Sequence, residues 1–211
     1  TVTLTVDVFD QRALRLETTI TVFNEISSQL FSYRARHDLL LGRHRSDRVT
    51  LEEGLVIGRR GNAAWAEVDG VVHPERCAGA AQELQVLGFL ARFPFVLGDG
   101  SRFAPLSVAT ARRGPVEVQE LVLAEERPGG RVLHTLCLDP ATLMPREMRY
   151  VNPAGRMITI LFHGVVDLSG VDLPRKREIL APGGEAIALE FDLTGVEKGW
   201  FGRRHFLPDE N

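Results

Sequence analysis

Residues 136–150 read Leu-Cys-Leu-Asp-Pro-Ala-Thr-Leu-Met-Pro-Arg-Glu-Met-Arg-Tyr, and residues 152–162 read Asn-Pro-Ala-Gly-Arg-Met-Ile-Thr-Ile-Leu-Phe. Each holds apolar, extended-favouring residues beside a cluster that must bend the chain. Proline presets the first dihedral of a turn, glycine supplies positive φ, and Asp or Asn hydrogen-bonds its own backbone. Asp139-Pro140 with Pro145 is one reversal, and Asn-Pro-Ala-Gly at 152–155 is the next. Working outward, Arg-Pro-Gly-Gly at 127–130, Ser169-Gly170 and Pro182-Gly183-Gly184 repeat the signal. The segments between them, 116–125, 131–139, 146–151, 156–163, 171–181 and 187–197, are expected strands. Short connections force antiparallel neighbours, so residues 114–197 are expected to form a six-strand meander.

Alternation supports this. Ile187, Leu189, Phe191 and Leu193 share one face, while Glu190, Asp192 and Thr194 take the other. Ile158, Ile160 and Phe162 share a face too, but Met157 and Leu161 opposite them are also apolar. A strand apolar on both sides is either sandwiched or lines a cavity. Pro174 should fall at an edge, a bulge or the start of its strand, because it has no N–H to donate.

The first half is less regular. Residues 2–8 alternate like a strand. Leu14, Leu16, Ile20, Val22, Ile26 and Leu30 keep an even register, which fits one bent strand or two joined ones, although Asn24 could cap a short helix over 25–33. Residues 49–57 and 63–68 form an expected hairpin, and Asp69-Gly70 is a two-residue hairpin signal into Val71-Val72. One helix is clear. Pro74 and Glu75 open it, Cys77, Ala81, Leu84, Leu87 or Gly88, and Ala91 follow helical spacing, and Pro94 ends it.

The chain has 211 residues, 44% hydrophobic and 25% charged, which excludes disorder and low-complexity scaffolds. Its length suits a single domain over 1–211. A formal net charge of −3 gives no global positive field, so nucleic acid is not an expected partner. No apolar run approaches the roughly 20 residues of a membrane-spanning helix. The first residue is Thr and no signal sequence precedes the first strand, which reads as a mature or trimmed chain. Cys77 and Cys137 permit one bridge or two buried thiols.

No catalytic set emerges. His37, Asp38, His44 and Asp47 lie among five arginines (34, 36, 43, 45 and 48), which repel a divalent ion, and the segment reads as a solvated basic strand or loop. Gly98-Asp99-Gly100-Ser101 lacks the lysine and helix of a phosphate loop and reads as a turn. His134, His163 and His205 are scattered singly. No catalytic or metal-binding residue and no cofactor is assigned, and the expectation is a non-enzymatic protein.

The progression "leucine–aspartate–proline, turn, proline, strand, strand" at 136–162, continuing into Gly170-Val171-Asp172-Leu173-Pro174, resembles the periplasmic lipoprotein carrier superfamily. This group includes LolA/LolB-like and outer-membrane lipoprotein-sorting proteins. Residues 61–70 with Trp65, then the 74–93 helix and Pro94, fit that family's middle section. The resemblance spans residues 49–197. It implies an α+β fold, a strongly curved antiparallel sheet forming an unclosed half-barrel, with helices covering the concave face over an apolar cavity. It departs at the start, where the family's amphipathic helix is replaced by residues that read as strands.

The implied function is a carrier for an apolar ligand, a lipid or lipoprotein acyl chain, in the periplasm or cell envelope. The implied lining is Trp65, Leu84, Leu87, Leu90 and Phe93 facing Leu136, Leu138, Ile158, Ile160, Phe162 and Phe191. Peripheral or lipid-anchored membrane association is compatible with this. The alternative is a half-barrel with a filled core that binds an envelope protein partner. A buried leucine contributes about 1.5–3 kcal/mol to folding in either case, so each of these residues has a plain core reading as well.

Overall fold

The computed structural model describes residues 13–24, 28–40, 46–60, 63–98, 103–127, 130–152, 154–167, 172–181, 184, 186–199, 201 and 203–208. The expected strand over 2–8, the Ser169-Gly170 turn, Asp99 to Ser101 and His44 lie outside these residues. In chain order the elements are β1 (Ala13–Asn24), β2 (Gln29–Leu40), β3 (Ser46–Leu51), β4 (Leu55–Arg60), β5 (Ala63–Val68) and β6 (Val71–Val72). Then come α1 (Cys77–Arg92), the single turn α2 (Phe95–Gly98), β7 (Phe103–Arg113), β8 (Val116–Arg127), β9 (Gly130–Leu138), β10 (Pro145–Val151), β11 (Met157–Asp167), β12 (Asp172–Leu180) and β13 (Ile187–Lys198).

The strands form one unclosed sheet in the order β6-β5-β4-β3-β2-β1-β13-β12-β11-β10-β9-β8-β7. Sequence neighbours are therefore sheet neighbours, save that β6 and β7, which flank the helices in the chain, are the two ends of the order, and that β13 returns beside β1. This is the open antiparallel sheet with one long helix of an unclosed half-barrel. The chain divides into two compact units, one holding Leu97–Asp192 with residues 21–31, the other holding Ser32–Val96 with residues 7–20 and 193–211.

In the first unit β8 to β13 form the expected antiparallel meander. Its turns work as their sequences dictate. Asp139 Oδ1 accepts the backbone N–H groups of Ala141 and Thr142 at 3.0 and 2.9 Å, and Oδ2 accepts from Arg146. Asn152 Oδ1 accepts from the N–H groups of Ala154 and Arg156 at 3.0 and 2.9 Å. The Gly184 N–H donates to the Ala181 carbonyl, closing the turn before β13. Pro174 stands third in β12, near the strand's start, opposite Val165. β7 was not expected. It is an edge strand with a bulge at Pro105, largely exposed, so no buried alternation marks it in the sequence.

In the second unit the expected strand over 49–57 is corrected to two. β3 ends at Leu51, a single 3₁₀ turn spans Glu52–Gly54, and β4 begins at Leu55. Residues 25–33 are not a helix where described, since Gln29 onward is β2. Asp69 (φ 49°) and Gly70 (φ 80°) make the expected two-residue turn between β5 and β6. Pro74 opens the helix through a 3₁₀ turn, and α1 packs on β4 and β5. Ala80, Leu84, Leu87, Gly88 and Ala91 form its buried stripe.

The basic segment is also corrected. His37, Asp38 and Asp47 are fully buried, whereas Arg34 and Arg36 are exposed. Arg92 from the last turn of α1 donates to Asp47 Oδ1 at 2.6 and 2.8 Å and to the carbonyls of Leu40 and Ser46. Arg59 holds Asp47 Oδ2 at 2.6 Å. Burial alone would raise the Asp47 carboxyl, but the two guanidinium groups outweigh it and hold the carboxyl below the usual range. Asp38 pairs with Arg15 (2.7 Å) and His205 (2.7 Å). These segments are buried because each carboxylate is neutralised inside the unit.

Candidate functional site

Antiparallel register puts directly opposite residues on one face. In the first unit, Leu121, Leu136, Met148, Ile160, Ile179 and Leu189 stand opposite one another in turn across β8 to β13. The first four are 0–1% exposed and the last two are half-buried. One pleat along, Phe162, Arg177 and Phe191 form a second row on β11, β12 and β13. One pleat the other way, Leu123, His134, Tyr150 and Ile158 form a third. The result is a continuous apolar face about five strand spacings, roughly 24 Å, across.

All six expected ligand-lining residues of this unit lie on that face. Leu136, Ile160, Phe162 and Phe191 are buried, and Leu138 and Ile158 are half-buried. The opposite side of β11 differs from its reading, because Met157 is 53% exposed rather than sandwiched. Leu161 there is half-buried.

Two polar groups interrupt the apolar face. The Arg177 guanidinium lies 5.3 Å above the Phe191 ring, and burial pushes its pKa down to about 9. His134 is 1% exposed, with Nε2 2.9 Å from Glu125 Oε2, on a carboxylate that also receives Arg127 (2.6 Å). Its ring meets Phe103 edge-on (5.1 Å) and Tyr150 tilted (4.9 Å). His163 and His205 are likewise paired with carboxylates, Glu178 (3.0 Å) and Asp38. The three histidines are thus not isolated.

These groups escaped the sequence reading because charged residues are rarely buried, and the partners of His134 and His205 are strands or whole segments away. Parity was the available signal. Arg177 shares its odd register with Leu173 and Ile179, and His134 its even register with Leu136 and Leu138.

The other five expected residues fall in the second unit. Leu84, Leu87, Leu90 and Phe93 are buried from α1 and the residue after it. Trp65 on β5 is buried, donates Nε1–H to the Phe206 carbonyl at 3.2 Å, and carries the Arg48 guanidinium 5.4 Å from its ring. Gly58 opposite it leaves no room for a side chain, since a Cβ there would lie 2.2 Å from the indole. Cys77 and Cys137 are free thiols, and burial pushes the Cys137 thiol up. Among the described residues no helix is long and apolar enough to cross a membrane.

No protein-family model matches the chain, and no curated protein matches it by sequence. Solved structures do share its fold. A LolA superfamily protein from Nitrosomonas europaea aligns with a TM-score of 0.64 at 14% identity, covering 94% of this chain and 91% of its own. A putative outer membrane lipoprotein-sorting protein domain from Vibrio parahaemolyticus aligns at 0.62 and 10% identity, covering 92% and 88%. A DUF1329 family protein from Desulfovibrio piger aligns at 0.65 and 10% identity, covering 94% and 91%.

Proposed function

We propose that this chain is a non-enzymatic carrier for an apolar ligand, a lipid or lipoprotein acyl chain, in the periplasm of a bacterial cell envelope. The observation that carries the reading is the six-strand apolar row from Leu121 to Leu189, flanked by Phe162 and Phe191. A face of this kind suits a ligand that offers methylenes and few hydrogen-bonding groups. The fold shared with lipoprotein-sorting and LolA superfamily structures supports the same ligand class and compartment. Leu136, Leu138, Ile158, Ile160, Phe162 and Phe191 are the proposed acyl contacts in their unit. Trp65, Leu84, Leu87, Leu90 and Phe93 have the same proposed apolar role in the unit that holds α1.

The test is saturable binding of a fluorescent fatty-acyl probe, displaced by unlabelled acyl lipid. Phe162→Ala, with folding checked by circular dichroism, is expected to weaken binding about tenfold, equivalent to about 1.4 kcal/mol. No saturable binding by the parent protein refutes the carrier. That result would favour a filled half-barrel binding an envelope protein. One observation suits this second reading: Val151 and Met157, a cross-strand pair, and Leu133 are exposed apolar residues on the outer face.

A further inference from the structure

His134 lies within the apolar face, and its surroundings fix what each ring nitrogen can do. An ionised carboxylate only accepts hydrogen bonds, so Glu125 requires Nε2 to carry the proton of their 2.9 Å contact. Arg127 donates to the same carboxylate through Nε at 2.8 Å. Phe103 and Tyr150 hold the ring plane, and the Arg127 guanidinium lies 5.9 Å from the Tyr150 ring. Nδ1 is buried and makes no hydrogen bond among the described residues. A buried polar atom without a partner is uncommon enough to need an explanation.

We propose that His134 Nδ1 is the head-group anchor of the acyl site, and that the ligand it selects is an unesterified long-chain fatty acid. This rests on the carrier reading and names its ligand. A carboxylic acid meeting a neutral imidazole and a carboxylate meeting an imidazolium contain the same atoms and the same single proton, placed on O or on N. Either arrangement satisfies Nδ1 and brings no net charge into the face, because Glu125 and Arg127 already offset each other. An ester has no such proton. Its carbonyl could be held only by an imidazolium, which would bring an added positive charge because Glu125 already offsets Arg127. From His134 the apolar rows run on through Leu136 and Met148 to Ile160, which gives the hydrocarbon tail a surface to follow.

The experiment compares palmitic acid with methyl palmitate as displacers of a fluorescent acyl probe, in the parent protein, His134→Phe and Arg177→Met. Phenylalanine keeps the aromatic contacts and removes both nitrogens. The parent is expected to prefer the acid by about tenfold or more. His134→Phe is expected to lose this preference with ester affinity unchanged, and Arg177→Met to keep it. Equal affinity of the parent for acid and ester overturns the anchor while leaving the carrier standing. A preference that survives in His134→Phe but disappears in Arg177→Met also overturns it. No probe binding at all overturns the carrier reading and the anchor together. A second measurement needs only the parent protein: ¹³C-carboxyl palmitate is expected to give a bound resonance that exchanges magnetisation with the His134 ring. A bound resonance with no such contact refutes the proposal.

Discussion

Asp47→Asn is the sharpest test of how the second unit is held together. Asp47 is fully buried and takes both Arg92, itself 5% exposed, and the more exposed Arg59. Removing one member of a buried ion pair costs about 3–5 kcal/mol, because the remaining charge is left in low dielectric. Asparagine keeps one carbonyl acceptor, and Arg92 keeps its bonds to the Leu40 and Ser46 carbonyls. The expected loss is therefore near the lower bound, about 3 kcal/mol. Urea titration measures it, and pH gives an independent check. The folded carboxyl is depressed, so its stabilising contribution is full above the unfolded value of about 3.9 and lost as pH falls through the lower folded value. The parent should lose stability in that acid window by more than Asp47→Asn does. The double variant with Arg92→Met should fall short of the summed single losses by at least about 1 kcal/mol. A loss below about 0.5 kcal/mol, within the range of surface substitutions, or identical acid limbs, would refute the clamp.

Leu84→Ala on the buried face of α1 is expected to cost about 2–5 kcal/mol in the same titration, and a near-neutral result would mean the helix is not packed as described. Gly58→Ala forces a methyl into the Trp65 ring, so about 1–3 kcal/mol of destabilisation and a shift in tryptophan fluorescence are expected in a Trp200→Phe background. Asp139→Ala removes the acceptor of two turn amides, and faster hydrogen exchange at Ala141 and Thr142 is the expected readout.

The meander was legible because the reversals at Asp139 and Asn152 have a local cause. Asp139 and Asn152 fold their turns by bonding their own backbone, and no distant partner is needed to foresee that. The helix was legible for the same reason, from Pro74 at its start and a 3–4 spacing of apolar residues. The split between β3 and β4 was hidden, because Val49, Leu51, Leu55 and Ile57 hold one parity straight through the Glu52–Gly54 turn. β7 was hidden because an exposed edge strand needs no apolar alternation. The buried charges were least visible. Asp47 is stable inside because Arg59 and, from 45 residues away on α1, Arg92 both reach it, and no local pattern carries the second partner. Of the residues on the apolar face of the first unit, the apolar ones could be read by alternation, whereas the buried Arg177 and His134 share that parity without an apolar side chain to announce it.

The most direct test of the carrier is native mass spectrometry of the purified chain, paired with lipid extraction and chromatography of what it releases. The expected result is a bound species heavier than the 211-residue polypeptide by the mass of an acyl lipid, removable by delipidation and restored by added fatty acid. A protein that purifies at its bare mass and stays there when long-chain fatty acid and acyl lipid are added would contradict it.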